Sequence, residues 1–159
     1  MKKNKTIILT TLVLFGTIAS SCSRTFPLKI GDDVTKIFQI QEIEDAFWID
    51  RYIVFTYENM NYVVRHDIDI EEDWSYITYI FKCKKSLSLE EDFNRIEPGM
   101  LIYKVVELVG VPYYLTIDSD VIDVSFKANT GRKYIVRFVH SILDDSNSDL
   151  VTTGVEAAL

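Results

Sequence analysis

The sequence predicts an α+β fold of two tandem helix-plus-antiparallel-sheet units, with the helices packed on one face of the sheet. Three observations predict it: internal self-similarity between the two halves, strand-like runs of period-two alternation, and short amphipathic stretches placed ahead of each set of runs. At an offset of 68 residues, Gly31, Val34, Lys36 and Ile37 fall on Gly99, Ile102, Lys104 and Val105. Offsets of 69 and 72 bring Ile53, Phe55 and Tyr57 onto Ile122, Val124 and Phe126, and Tyr62 to Arg65 onto Tyr134 to Arg137. The offset changes only between runs, where turns such as Glu58-Asn59-Met60 and Asn129-Thr130-Gly131 absorb extra residues without reversing the side-chain alternation.

The chain opens with a segment that is read apart from the fold. Lys2, Lys3 and Lys5 form a basic start, and residues 7–19 an uncharged apolar run of secretory-signal length, too short to span a membrane. Residues 1–21 are therefore expected to be a lipoprotein signal peptide, with 22–28 as a lipid-anchored tether. The closing Ile18-Ala19-Ser20-Ser21-Cys22 resembles a lipobox, in which small residues admit the signal peptidase and the cysteine thiol is acylated. That resemblance implies lipidation at Cys22. The other cysteine, Cys83, is then left without an intramolecular partner. It ends the run Ile77, Tyr79, Phe81, Cys83 and reads as a small core hydrophobe.

Loss of residues 1–21 leaves 14 Lys and Arg against 24 Asp and Glu, a net charge of −10. Such a surface excludes nucleic acid as a natural partner and gives anionic lipid no basic contact, so attachment to the membrane falls to the lipid alone.

Residues 29–87 form the first repeat unit, with a helix near 32–40 and strands near 46–49, 52–58, 61–67 and 75–83. Residues 88–140 form the second. Ser88-Leu89-Glu90-Glu91 has capping-box spacing and opens a short helix towards Ile96, which Pro98 and Gly99 break. A helix over 100–109 follows, ended by Gly110 and Pro112, and then strands near 113–117, 121–127 and 133–140. Residues 141–159, acidic and turn-rich at first, are expected to be a loosely attached C-terminal tail.

Alternation places Ile53, Phe55, Tyr57, Ile122, Val124 and Phe126 against the helices. Val54, Thr56, Glu58, Asp123, Ser125 and Lys127 fall on an open reverse face. Trp48, Arg65, Tyr76, Thr78 and Arg137 are assigned to that open face as a protein-binding surface, because aromatic and arginine side chains dominate binding hot spots.

The run Ile96, Gly99, Met100, Val105, Leu108, Gly110, Pro112 resembles the BamE/SmpA family of small envelope lipoproteins and the related tandem fold of the β-lactamase inhibitor protein. The likeness covers about seventeen residues. Leu101 departs from it, standing where the family carries a Ser or Thr cap, and the first unit keeps only Gly31 with Asp32 or Asp33. The family has one unit, so the two-unit arrangement looks more like the inhibitor, whose open sheet grips an enzyme. The resemblance implies a protein-binding module held at a bacterial membrane, with an envelope protein as partner.

No nucleophile elbow, phosphate loop or zinc spacing is present in the sequence, so no catalytic residue, cofactor or metal is assigned. The alternative is an extracytoplasmic small-ligand- or calcium-binding domain, or in second place a hydrolytic one, using Asp67, Asp69, Glu71, Glu72 and Asp73 of the acidic loop 67–73, a concentration of oxygen ligands without EF-hand spacing. His66 falls opposite Phe138 of the second copy, so aromatic packing is expected there. Asp118, Asp120 and Asp123 read as a polar hairpin rather than as paired catalytic carboxylates.

Overall fold

The structure, a computed structural model, describes residues 26–84, 87–141 and 149–158. It is mostly β, with 49% strand and 15% helix, and this overturns the expected α+β fold of helix-plus-sheet units. Strands β1 (Glu44–Ile49), β2 (Tyr52–Tyr57), β3 (Met60–Asp69) and β4 (Trp74–Cys83) form one antiparallel sheet. β5 (Tyr114–Asp118), β6 (Val121–Lys127), β7 (Lys133–His140) and β8 (Leu150–Ala157) form another, each sheet in sequential order.

The helices are small for physical reasons. The expected first helix is a 3₁₀ segment, Val34–Gln39, capped by the Asp33 carboxylate, which accepts from the Thr35 amide at 2.7 Å. Its β-branched Val34, Thr35 and Ile37 are poor α-formers, and short 3₁₀ pieces suit such a stretch. Helix α1 spans only Glu90–Phe93 and α2 spans Ile102–Val109. Ser88 does not cap α1: the Asp92 carboxylate accepts from the Leu89 amide, while the Ser88 hydroxyl donates to the Val109 carbonyl at 2.7 Å and so helps close α2. Gly110 follows at φ +85°, and a Cβ there would lie 3.0 Å from Ser88 Oγ, so both backbone angle and space call for glycine.

The expected tail is also corrected. Residues 150–157 are the fourth strand of the second sheet, paired with β7 from Tyr134↔Ala157 to His140↔Leu150. β8 stands to its sheet as β4 stands to its own. Gly31 N–H donates to Ile77 O at 2.7 Å and Ile77 N–H to Asp32 O at 2.8 Å. In the second half Gly99 N–H donates to Thr152 O at 2.7 Å and Thr152 N–H to Met100 O at 3.0 Å. The register is interrupted at Arg65/His66 in one sheet and at Arg137/Phe138 in the other.

One face of the first sheet, with Ile53, Phe55, Val64 and Ile77, packs on Leu28, Val34 and Ile37. Its other face, with Ile49, Tyr52, Val54, Val63 and Cys83, joins Ile102, Val105, Val106 and Val109 of α2 in a cluster that also holds Ile122, Val124, Phe126, Val136 and Phe138 of the second sheet. The expected open face of the first sheet is therefore covered by α2, and among the described residues an open face survives only on the second sheet. No helix among the described residues is long and apolar enough to cross a membrane.

Because Ile102 is fully buried in the cluster that joins the two sheets, Ile102→Ala is expected to cost about 2–5 kcal/mol of unfolding free energy. Both sheets should melt in one weakened transition. Urea unfolding followed by far-UV circular dichroism checks this, with exposed Ile70→Ala as a control expected to stay within about 0.5 kcal/mol.

Candidate functional site

The five side chains assigned to one surface do not come together. Trp48 pairs with Ile53 across the β1–β2 ladder and so shares the face of the 3₁₀ helix. Its ring stacks on Phe38 at 5.6 Å and meets His66 edge-on at 5.1 Å. Arg65 lies on the opposite face, where it pairs with Tyr52 and Tyr79 and is only 5% exposed. Tyr76 is half-buried in a bridge to Asp33, and the Thr78 hydroxyl donates to the Arg65 carbonyl at 3.3 Å. Arg137 is exposed on the second sheet, held by both Asp123 oxygens at 2.8 and 3.1 Å, with Glu156 3.8 Å away.

Arg65 instead belongs to a cleft between the two sheets. Its guanidinium donates to the Asp149 carboxylate at 2.8 Å, and the Tyr52 hydroxyl donates to the same oxygen at 2.7 Å. The cleft holds about 310 Å³, and Tyr79, Phe81, Leu101 and Tyr103 complete its walls. Burial, reinforced by the Asp149 hydrogen bond, pushes the Tyr52 hydroxyl far above the usual tyrosine range, so it remains a proton donor to Asp149. Phe81 and Tyr103 stack at 4.3 Å, tying β4 to α2 beside these groups. The charged pair thus joins β3 to the start of β8, and its chemistry is cross-bracing.

Of the acidic residues of 67–73, Asp67 and Asp69 have carboxylates engaged with the protein itself. Asp67 lies 3.5 Å from Arg51 and 3.9 Å from Arg65, and Asp69 accepts from the Glu71 and Glu72 amides. Among the described residues, no group of three or more His, Cys, Asp or Glu side chains is placed to hold a metal ion. Asp118 and Asp120 flank Ser119, which turns at φ +56°, and Asp123 is the partner of Arg137.

His66 and Cys83 are both interior groups. The Ser75 hydroxyl donates to the Asp67 carbonyl, so its oxygen accepts from His66 Nδ1–H at 2.7 Å. Burial holds the His66 imidazole below the usual histidine range, outweighing Asp50 and Asp67. Burial likewise pushes the Cys83 thiol up to about 11, with Glu107 adding to it, and its S–H donates to the Tyr103 carbonyl at 3.5 Å. A thiol so placed is packing material.

A second concavity, about 440 Å³, lies on the other face of the first sheet by the β3–β4 hairpin, where Trp48, Ile68 and Trp74 meet Asp33, Val34 and Asp73. Phe38 is 60% exposed, Ile68 65% and Trp48 37%, a concentration of large apolar side chains in water. Sequence reasoning found only Trp48. Phe38 was legible: it directly follows Ile37, which faces the core, and so falls off the buried stripe.

The neutral buried His66 fixes a pH dependence. Its folded pKa is depressed, so the stability it contributes is present above the unfolded value of about 6.5 and is lost as pH falls below it. His66→Phe, which installs the aromatic found at Phe138, should flatten the decline between about pH 6.5 and 5. Urea midpoints measured across that range for both proteins check it.

No family model, no curated protein and no solved structure matches the chain. The resemblance of residues 96–112 to the BamE/SmpA lipoproteins rests on those residues alone.

Proposed function

We propose that the protein is a bacterial envelope lipoprotein, acylated at Cys22 and held on the extracytoplasmic side of a membrane, that works as a protein-binding or assembly module rather than as an enzyme. The observation that carries this reading is the exposed apolar group Phe38, Trp48 and Ile68 beside Trp74. Large aromatic side chains held rigidly at a rim are what binding hot spots are made of. The site differs from the surface expected from sequence, since it combines Trp48 with residues of the helix side and of the 67–74 hairpin.

The remaining surfaces offer less. The outer face of the second sheet is occupied at its centre by Arg137, Asp123 and Glu156, which satisfy one another. The inter-sheet cleft has Arg65 and Tyr52 committed to Asp149. Lipidation at Cys22 also sets the working distance. Phe26 already stacks on Tyr62 at 4.2 Å, so three residues separate Cys22 from the fold, an extended reach of about 13 Å over four steps. A partner would therefore lie in the membrane, on it or close beside it.

Cys22→Ala should release the protein from the membrane fraction, and a photo-crosslinking residue at position 38 or 68 should give a discrete protein adduct in intact cells. Adducts from the outer face of the second sheet alone, at position 116 or 125, would overturn the site. Unchanged membrane association of Cys22→Ala would overturn the anchor.

A further inference from the structure

The walls of the Trp48 concavity say what kind of segment it accepts. Its apolar surface comes from Trp48, Ile68 and Trp74, and the charged side chains in its lining are Asp33 and Asp73, with no lysine or arginine among the described residues that line it. Asp33 accepts from the Thr35 amide and hydroxyl, and those hydrogen bonds hold its carboxyl below the usual range, so it stays ionised at neutral pH. The adjoining hairpin adds exposed Glu71 and Glu72. The salt bridges described for nearby cations take Lys36 to Asp32 and Arg51 to Asp67; Lys36 acts on Asp33 through its charge alone.

Aromatic faces beside carboxylates that no salt bridge engages among the described residues form an environment that attracts a cation on an apolar stem. A lysine or arginine lays its methylenes along indole and leaves its head for the carboxylates, gaining cation–π attraction as it does so.

We propose that this concavity is a docking site for an apolar polypeptide segment carrying lysine or arginine, with Trp48 and Trp74 receiving the side-chain stem and Asp33 and Asp73 its charge. The proposal deepens the protein-binding reading and rests on it. Charge complementarity selects this occupant over a lipid surface, because the anionic rim repels anionic headgroups. It also selects against a second copy of the chain, which would bring the same acidic rim to the site.

The test is a titration of the purified protein with a short amidated peptide alternating leucine and lysine, followed by tryptophan fluorescence. The expected result is saturable binding that weakens at least about tenfold when glutamine replaces each lysine. Binding should weaken about three- to tenfold in the isosteric double variant Asp33→Asn with Asp73→Asn, and by about tenfold or more in Phe38→Ala, an exposed change that leaves the core intact. Equal binding of lysine and glutamine peptides, or indifference to the carboxylate changes, would overturn the proposal. So would a fluorescence shift with neutral phosphatidylcholine vesicles and none with peptide, or self-association that shields Trp48. A protein adduct from position 38 in cells, obtained alongside failure of the peptide series, would sink the basic-segment chemistry and leave the binding module standing.

Discussion

The structure depends on helix α2 filling the space between two sheets. Ile102, Val105, Val106 and Val109 are all buried, and they meet Val54 and Val63 on one side and Val124 and Val136 on the other in a single cluster. The consequence is asymmetric. The first sheet is covered on both faces, by α2 on one side and by the 3₁₀ helix with Leu28 on the other, whereas the second sheet is covered on one. Two-sided burial of a four-stranded sheet supplies apolar area that two short helices and a 3₁₀ turn could not supply to separate units. It also removes most of the first sheet's two faces from recognition and leaves exposed the margin of the 3₁₀ side, where Trp48 lies.

Much of this was legible, and the failures have physical causes. The seven strand runs expected from alternation each have a counterpart in the structure, because a period-two pattern reports a pleated backbone directly. Two-sided burial was also written in the sequence. Tyr52-Ile53-Val54-Phe55 and Tyr62-Val63-Val64 are unbroken apolar runs, and every one of those residues is buried. Such runs mark a strand without a wet face. Reading only their alternate members left Val54 and Arg65 on an open surface that does not exist. The eighth strand was hidden by its neighbours, since the acidic turn composition before Asp149 obscured the β-branched Val151, Thr152 and Thr153 that follow.

Trp48 shows how register, once fixed, decides a face. Strands at 46–49 and 52–58 leave only Asp50 and Arg51 for the hairpin, and Asp50 turns at φ +52°. A two-residue loop pairs Ile49 with Tyr52 and therefore Trp48 with Ile53. Directly opposed residues share a face, so Trp48 had to lie with Ile53 on the helix side. Arg65, opposite Tyr52, had to lie on the other. The two residues were incompatible as members of one surface from the moment the turn length was set.

The buried charge of Arg65 has a different logic from that of the exposed Arg137. Arg137 sits in water and gains little from Asp123, whose carboxylate screens it in a solvated ladder. Arg65 is enclosed, so its guanidinium must be answered, and Asp149 answers it with a carboxylate that also accepts from the Tyr52 hydroxyl. That requirement fixes where the chain must arrive before β8 can begin, and β8 in turn brings Thr152 to the Gly99 and Met100 backbone at the mouth of α2. A polar demand made on the first sheet thus positions the last strand of the second. The surface left with unspent affinity is on the opposite face of the first sheet, where Trp48 and Phe38 stack at the boundary with water.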